Sequence, residues 1–387
     1  MQIIAVKDKQ TIKDFINLPW GIYKNDKNWI PHLKQDIEKV FDPQQNKAHA
    51  NGKIIRWVLK DNNNIIIGRI AAFVDYKIAD NFEQPTGGIG FFECINDKEA
   101  AFLLFNTAKK WLQSNKMQAM DGSINFGEKN MFWGVLVENF TDPNSYGMNY
   151  NPEYYKTFFE EYGFKTYYKQ FMYKRDLNVP AQQIFVEKSE NIMSNGDYSI
   201  TNVRGMSIDK LAENFKTVYN AAWGGHDNFK VLSSKNANKI IKALKPVYDK
   251  DIIVFVFYKG TPVAFYVNIP ELNEIFKYVN GNLNWLGKLK FLYHKLKKTP
   301  NTMVGVVFGV DRDFQGKGIE GAMIKWTEEN IVTLGRYDQT VLTWIGDFNP
   351  KMLKVCDNLG ANIYRTYITY RYLFDREKEF KRCPIVG

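Results

Sequence analysis

The segment Val306-Val307-Phe308-Gly309-Val310-Asp311-Arg312-Asp313-Phe314-Gln315-Gly316-Lys317-Gly318-Ile319-Glu320-Gly321-Ala322 carries the clearest chemistry in this chain. An apolar run of strand length enters a glycine-bearing loop, which opens a helical pattern. Gly316, Gly318 and Gly321 let consecutive backbone N–H groups turn inward. The helix start adds its partial positive charge. Such a cradle suits a pyrophosphate. The spacing is not a P-loop, because Gly-Lys-Ser/Thr is missing, and it is not the dinucleotide fingerprint. A glycine-rich surface turn is the plainer alternative.

The elements around this loop form two similar sets. In the first half, strand patterns at Gln2–Val6, Ile54–Lys60, Ile65–Val74, Gly88–Cys94 and Met117–Phe126 alternate with helical stretches. Asp97–Ser114 places Ala101, Leu104, Phe105, Ala108 and Leu112 on one stripe. Pro152–Tyr162 reads as a helix stopped by Gly163. Asn178-Val179-Pro180 marks a seam. The second half repeats the order: strands at Tyr198–Val203, Ile252–Tyr258, Val263–Ile269, Met303–Val310 and Thr340–Ile345, then a helix over Pro350–Leu359 before Gly360. Asn151-Pro152 and Asn349-Pro350 occupy matching places, each able to cap a helix and fill its first turn. Aromatic strands follow both. These features predict a mixed α/β (α+β) chain with an internal duplication. The expected domains are 1–178 and 179–387.

The hexapeptide Gln315-Gly316-Lys317-Gly318-Ile319-Glu320 resembles the Gln/Arg-x-x-Gly-x-Gly/Ala signature of the GNAT acyltransferases. The whole chain resembles a group of bacterial tandem-GNAT proteins, through Leu18-Pro-Trp-Gly-Ile-Tyr23, Gly68-Arg-Ile-Ala-Ala72, Gly90-Phe-Phe-Glu93, Asn149-Tyr-Asn-Pro-Glu-Tyr-Tyr155 and Asn280-Gly281. The resemblance implies two domains, each a mostly antiparallel mixed central sheet flanked by helices. It also implies acetyl-CoA or a longer acyl-CoA as co-substrate, with an amine as acceptor. The amides of Gln315, Gly316, Lys317, Gly318, Ile319 and Gly321 would hold the pyrophosphate. The strand backbone around Phe308 and Val310 would pair with pantetheine, and Asn349 would contact it.

Two positions depart from the family pattern. Glu320 puts a carboxylate at the last signature position, where glycine or alanine is usual. Cys356 stands where many members carry a tyrosine that protonates the leaving thiolate. A thiol with a reference pKa near ~8.5 could do so; a small buried apolar residue is the plainer reading. Family geometry places a general base near the end of a central strand. That makes Glu271 and Asp347 candidates, with Glu93 third; each also reads as an ordinary loop charge. His226 and Arg69 are further polar positions of interest. The first half has no glycine after Gly90 and carries Phe159 at its tyrosine-equivalent position. It is expected to be a degenerate copy completing the acceptor cleft.

The formal charge of +10 is weighted toward Trp285–Thr299, which holds five lysines and no acid. Basic surfaces attract acidic lipid and nucleic acid alike. Here the lysines alternate with Trp285, Leu286, Leu289, Phe291, Leu292 and Tyr293, the composition of an interfacial helix. No RNA-recognition module is present, so contact with an acidic membrane or lipid is preferred to nucleic acid. Three separated cysteines and four scattered histidines exclude a disulfide framework and a Cys-only zinc site. No metal is expected. No apolar run reaches membrane length and no signal-peptide core is visible, so a cytoplasmic protein is expected. The reading is direct transfer of an acyl group from a coenzyme A thioester to an amine. Its rivals are a non-catalytic acyl-CoA or nucleotide-binding protein and a membrane-surface enzyme acting on a lipid amine.

Overall fold

A computed structural model describes residues 1–180, 182–224 and 230–385. Its strands are β1 (Gln2–Ala5), β2 (Gly52–Lys60), β3 (Ile66–Asp75), β4 (Thr86–Cys94), β5 (Ala119–Gly122), β6 (Val135–Glu138), β7 (Lys165–Asp176), β8 (Tyr198–Asn202), β9 (Ile253–Tyr258), β10 (Thr261–Pro270), β11 (Thr302–Val310), β12 (Gln339–Gly346) and β13 (Asn362–Leu373). Its α-helices are α1 (Lys9–Ile22), α2 (Lys34–Phe41), α3 (Tyr76–Ala79), α4 (Lys98–Ser114), α5 (Tyr154–Tyr162), α6 (Gln183–Met193), α7 (Ile208–Trp223), α8 (Ser234–Leu244), α9 (Asn273–Phe276), α10 (Trp285–Leu296), α11 (Ile319–Asn330) and α12 (Pro350–Asn358).

Local chemistry explains the element ends. Asp8 and Thr11 form a capping box that starts α1. Asp97 caps α4. Asn349 caps α12, with Pro350 in the first turn. Gly163 closes α5 in the left-handed region, at φ +103°.

The strands form one sheet in the order β1-β2-β3-β4-β5-β13-β7-β12-β11-β10-β9-β8, with β6 attached to β13. Read from either edge, the order is the same: an antiparallel meander, then a parallel pair, then a long strand. The parallel pairs are β4/β5 and β11/β12. The internal duplication expected from the sequence is therefore visible as matched topology.

The two long central strands are exchanged. β7 comes from the first half of the chain but pairs with β12 of the second. β13 comes from the second half but pairs with β5 of the first. They pair with each other along most of their length, from Asn362↔Lys174 to Arg371↔Lys165. The division drawn at residue 178 thus crosses a continuous sheet. Each half buries its own core against its helices. Leu104, Phe105, Ala108 and Leu112 of α4 join Phe158 and Phe159 in the first half. Leu211, Phe215 and Val218 of α7 pack on Phe255 and Phe265 in the second.

Candidate active site

β11 and β12 pair in parallel only from Thr302↔Gln339 to Gly305↔Leu342. Beyond Gly305 they separate. The backbone of residues 306–310 on the β12 side has no strand partner, and Val306 is 48% exposed. The gap opens into a cavity of about 440 Å³. Its walls are Val306, Val307 and Phe308 from β11, Leu342 to Gly346 from β12, Met323 from α11 and Met352 from α12. The lining is chiefly apolar, and the volume lies in the range of about 300–1,000 Å³ typical of small-molecule sites.

β11 leads from this cavity into the glycine loop. Gly316 and Gly318 sit at φ +74° and +92°, which glycine adopts without strain. The Gln315 side chain turns back and donates to the Val310 carbonyl at 3.1 Å, fixing the loop to its strand. Ala322 donates the first helical bond of α11, to the Gly318 carbonyl at 3.0 Å. The amides of Ile319, Glu320 and Gly321 therefore precede the helical ladder. Gly318 provides no side-chain cap for them. Uncapped amides at a helix start are the kind of group that suits an anion. The helix starts at Ile319 because Gly318, in the left-handed region, makes the turn into it.

The matching helix of the first half starts differently. The Asp97 carboxylate accepts the Ala100 N–H at 3.0 Å. A carboxylate already at that helix start repels a phosphate. The strands beside it also stay together. The β4/β5 ladder runs to Gly88↔Asp121, and the Ile124 N–H still donates to the Ile89 carbonyl at 2.8 Å. Farther along β4, Phe92 stacks on Phe105 at 4.6 Å with Tyr155 edge-on at 4.9 Å. A cavity of about 40 Å³ lies here, lined by Glu93, Arg69, Ser123 and Tyr155 among others. That is room for water but not for a substrate.

The cradle residues named from sequence occupy one continuous loop, with distinct parts to play. Lys317 is exposed, with its ammonium 4.8 Å from the Phe314 ring centre. The Ile319 side chain is buried in the core, leaving its backbone to face the loop. A Cβ on Gly321 would stand 2.8 Å from the Phe185 carbonyl, so this glycine also admits α6. Phe308 lines the cavity. Val310 is core, and its carbonyl is held by Gln315. Asn349 borders the cavity and caps α12, accepting the Met352 N–H at 3.2 Å.

The three catalytic candidates separate. Cys356 lines the cavity, but burial pushes its thiol up to about 12. A thiol raised so far is protonated at neutral pH, and the thiolate is the nucleophilic form. Glu271 lies outside the cavity lining. It is buried where the two halves meet, accepting the Tyr146 N–H at 2.9 Å and the Asn273 N–H at 3.0 Å. Burial raises its pKa, opposed by those two bonds. It anchors the 144–146 loop of the first half to α9. Asp347 also lies outside the lining and is ion-paired with Arg382. Glu93 is enclosed in the first half, accepting from Tyr23 at 2.7 Å and Tyr155 at 2.8 Å, with Arg69 at 3.4 Å. Arg69 is thus an ion-pair partner and also donates to the Phe15 carbonyl at 2.6 Å. His226 falls outside the described residues.

The cavity has polar groups that sequence reasoning did not single out. Tyr266 on β10 reaches it across Gly305, where a Cβ would lie 3.1 Å from the phenol oxygen. Arg175 on β7 borders it while paired with Glu328 at 2.6 Å. Strand alternation marks Tyr266 as facing one side of its sheet. No local signal brings Arg175 here, because it arrives through the strand exchange. Glu320 does line the cavity, at its junction with the cradle.

No protein-family model matches the chain. Two relatives align along nearly all of it. The bacterial ceramide synthase of Caulobacter vibrioides is 25% identical over 380 residues, covering 96% of this chain and 97% of the relative. Protein YghO of Escherichia coli is also 25% identical over 380 residues, covering 94% and 93%. Among solved structures, a tandem GNAT protein from the clavulanic acid biosynthesis pathway superposes with a TM-score of 0.54 at 10% identity, covering 97% of this chain and 99% of that one. A GCN5-related N-acetyltransferase from Sphaerobacter thermophilus gives 0.50 at 8% identity, covering 98% of each. A GCN5-related glucosamine N-acetyltransferase region of a fungal multi-domain protein gives 0.55 at 12% identity; this chain spans 38% of that protein's length. At these identities the solved structures speak to fold alone, and this chain shares the fold of the tandem GNAT protein of the clavulanic acid pathway.

Proposed function

We propose that this protein is a coenzyme-A-dependent N-acyltransferase that moves a long acyl chain from its thioester to an amine on a lipid-like acceptor. The observation that carries the reading is the β11/β12 splay. It joins the uncapped start of α11 to an apolar cavity of about 440 Å³. The name of the Caulobacter vibrioides relative adds that an aligned chain of the same length makes an N-acylated lipid amine.

In this reading the amides of residues 316–321 hold the pyrophosphate, and the free edge of β11 around Phe308 pairs with pantetheine. The acyl chain lies between β11 and β12. A β11 amide polarises the thioester carbonyl. The amine nitrogen attacks that carbon, the C–S bond breaks, and the ammonium proton leaves to solvent. A thiol of reference pKa near ~8.5 departs as thiolate without an acid. Catalysis then rests on positioning and carbonyl polarisation more than on acid–base chemistry. Cys356 accordingly serves as a cavity wall. The first half, with β4 held to the chain after β5 and with its Asp97 cap, binds no donor and shapes the acceptor side.

Glu320 favours a second reading, a protein that binds acyl-CoA without turning it over. Its carboxylate faces the donor path and opposes the phosphates unless turned away. One experiment separates the two. Palmitoyl-CoA, acetyl-CoA and coenzyme A are compared by thermal shift on wild type and Gly318→Trp, and thiol release is followed with and without a long-chain amino alcohol. Stabilisation lost in the variant, with acceptor-dependent thiol release, supports transfer. Stabilisation without release supports the binding protein, and no stabilisation overturns both.

A further inference from the structure

We propose that α10 is a docking helix for an anionic lipid surface. The helix is inserted between β10 and β11 and held by one face only. A Cβ on Gly287 would lie 2.1 Å from the Asn282 carbonyl oxygen, so glycine alone permits the close seat. Phe291 stacks on Phe276 at 5.7 Å, and His294 stacks on Tyr278 at 3.9 Å. These three residues lie on one side of the helix.

The opposite side is apolar and uncovered. Trp285, Leu289 and Leu296 are 73%, 55% and 74% exposed, and Leu286, Leu292 and Tyr293 are exposed too. At 3.6 residues per turn these six side chains fill a continuous arc of about 120°. Lys288 and Lys295 flank one edge of the arc, and Lys290 and Lys297 flank the other. Lys298 follows just past the helix end. No acidic residue lies anywhere in Trp285–Thr299.

A core helix turns its apolar stripe inward; this one turns it to water. Six large apolar side chains on one exposed face call for a partner. The bordering cations choose which. A leucine–tryptophan stripe enters the acyl boundary while Lys288 and Lys297, one on each side, reach the headgroups; Lys290 and Lys295 are held to the Tyr278 and Pro246 carbonyls. A second copy of the same face would bring its lysines against these, which disfavours a twofold contact. A nucleic acid would answer the lysines but leave the leucines in water. The inference stands on α10 alone and does not depend on which reaction the cavity supports.

The test is co-sedimentation of the full chain with vesicles of phosphatidylcholine alone and of phosphatidylcholine with phosphatidylglycerol. Wild type is expected to sediment with the anionic vesicles, to do so less at high salt, and to remain free of the neutral ones. Lys288→Gln with Lys297→Gln lowers partition about fivefold for each lysine removed. Leu289→Glu with Leu292→Glu abolishes it. Both sites are exposed, so melting temperatures should not change; the salt dependence of wild type provides a reading independent of any variant. Absence of wild-type binding overturns the proposal, as does equal binding by the Leu289/Leu292 variant. A wild-type dimer in analytical ultracentrifugation that this variant dissociates also overturns it, by giving the face to a second copy.

Discussion

Arg371 on β13 grips Asp121 on β5 with two parallel hydrogen bonds, Nε to Oδ1 at 2.7 Å and Nη2 to Oδ2 at 2.8 Å. The two residues are 250 positions apart. The pair is buried, and the guanidinium also lies 3.5 Å from the centre of the Tyr167 ring on β7. It therefore fixes three strands at the point where the chain's last strand enters the first half. Burial raises the Asp121 pKa, and the arginine opposes that by favouring the charged form.

Breaking this pair should be costly. Arg371→Met leaves Asp121 buried without its partner and should remove about 3–5 kcal/mol of stability. Pairing Arg371→Met with Asp121→Leu should cost less than Arg371→Met alone, because no charge is then stranded. Urea melts of both single variants and the double variant give the coupling. An additive cycle would contradict the account.

The glycine at the start of α11 should separate donor binding from folding. Gly318→Asp gives that helix the carboxylate that Asp97 already gives α4. It should weaken palmitoyl-CoA binding more than tenfold, read by titration calorimetry. Aspartate tolerates the left-handed region better than most residues, so the melting temperature of the free protein should fall only modestly. Binding unchanged by the variant would place the donor elsewhere.

Cys356→Ala tests whether the thiol acts or merely packs. With its pKa pushed up to about 12, the thiol is a weaker acid than the thiol being released. Turnover should stay within about threefold of wild type, and the truncation should cost on the order of 1 kcal/mol. Loss of turnover by a hundredfold or more, with the fold intact, would restore Cys356 to the reaction.

Acid should weaken the first half through His32. Its ring packs edge-on against Phe132 at 4.9 Å. Burial, then the nearby Arg69 guanidinium, lowers its pKa to about 4. In the unfolded chain it protonates near ~6.5. Its contribution is thus complete above pH ~6.5 and is lost as pH falls toward about 4. Thermal melts across that window should fall more steeply for wild type than for His32→Gln. The raised pKa of Glu93 acts in the opposite sense, but it is present in both proteins and cancels in the comparison. Parallel profiles would refute the assignment.

What the sequence conveyed was mostly local. The glycine loop, the Asn349-Pro350 start and the matched element order all depend on neighbours within a turn or a strand, and all are seen in the fold. The exposed apolar stripe on α10 was legible for the same reason, since its spacing and its lysines are all written within Trp285–Thr299. The strand exchange was not legible. β7 and β13 are both aromatic and alternating, and nothing in either says which half it joins. The placement of Glu271 failed for a related reason. A carboxylate at the end of β10 reads the same whether it faces a ligand or, as here, the Tyr146 amide of the other half. Tyr266 was hidden because its access depends on a missing side chain at Gly305, one strand away.

The exchanged strands set an order of events for synthesis. The first half has its own helices and five of its strands early, but β5 lies open until β13 is made, after the whole of the second half's meander. β7 meanwhile emerges with no neighbour on either side, since both β12 and β13 are made later. A ribosome making this protein thus holds an unsealed sheet edge until β13 is out. Neither half is a module that can be cut free and kept, and a nick or early stop upstream of β13 would disable the half of the molecule most distant from it in sequence.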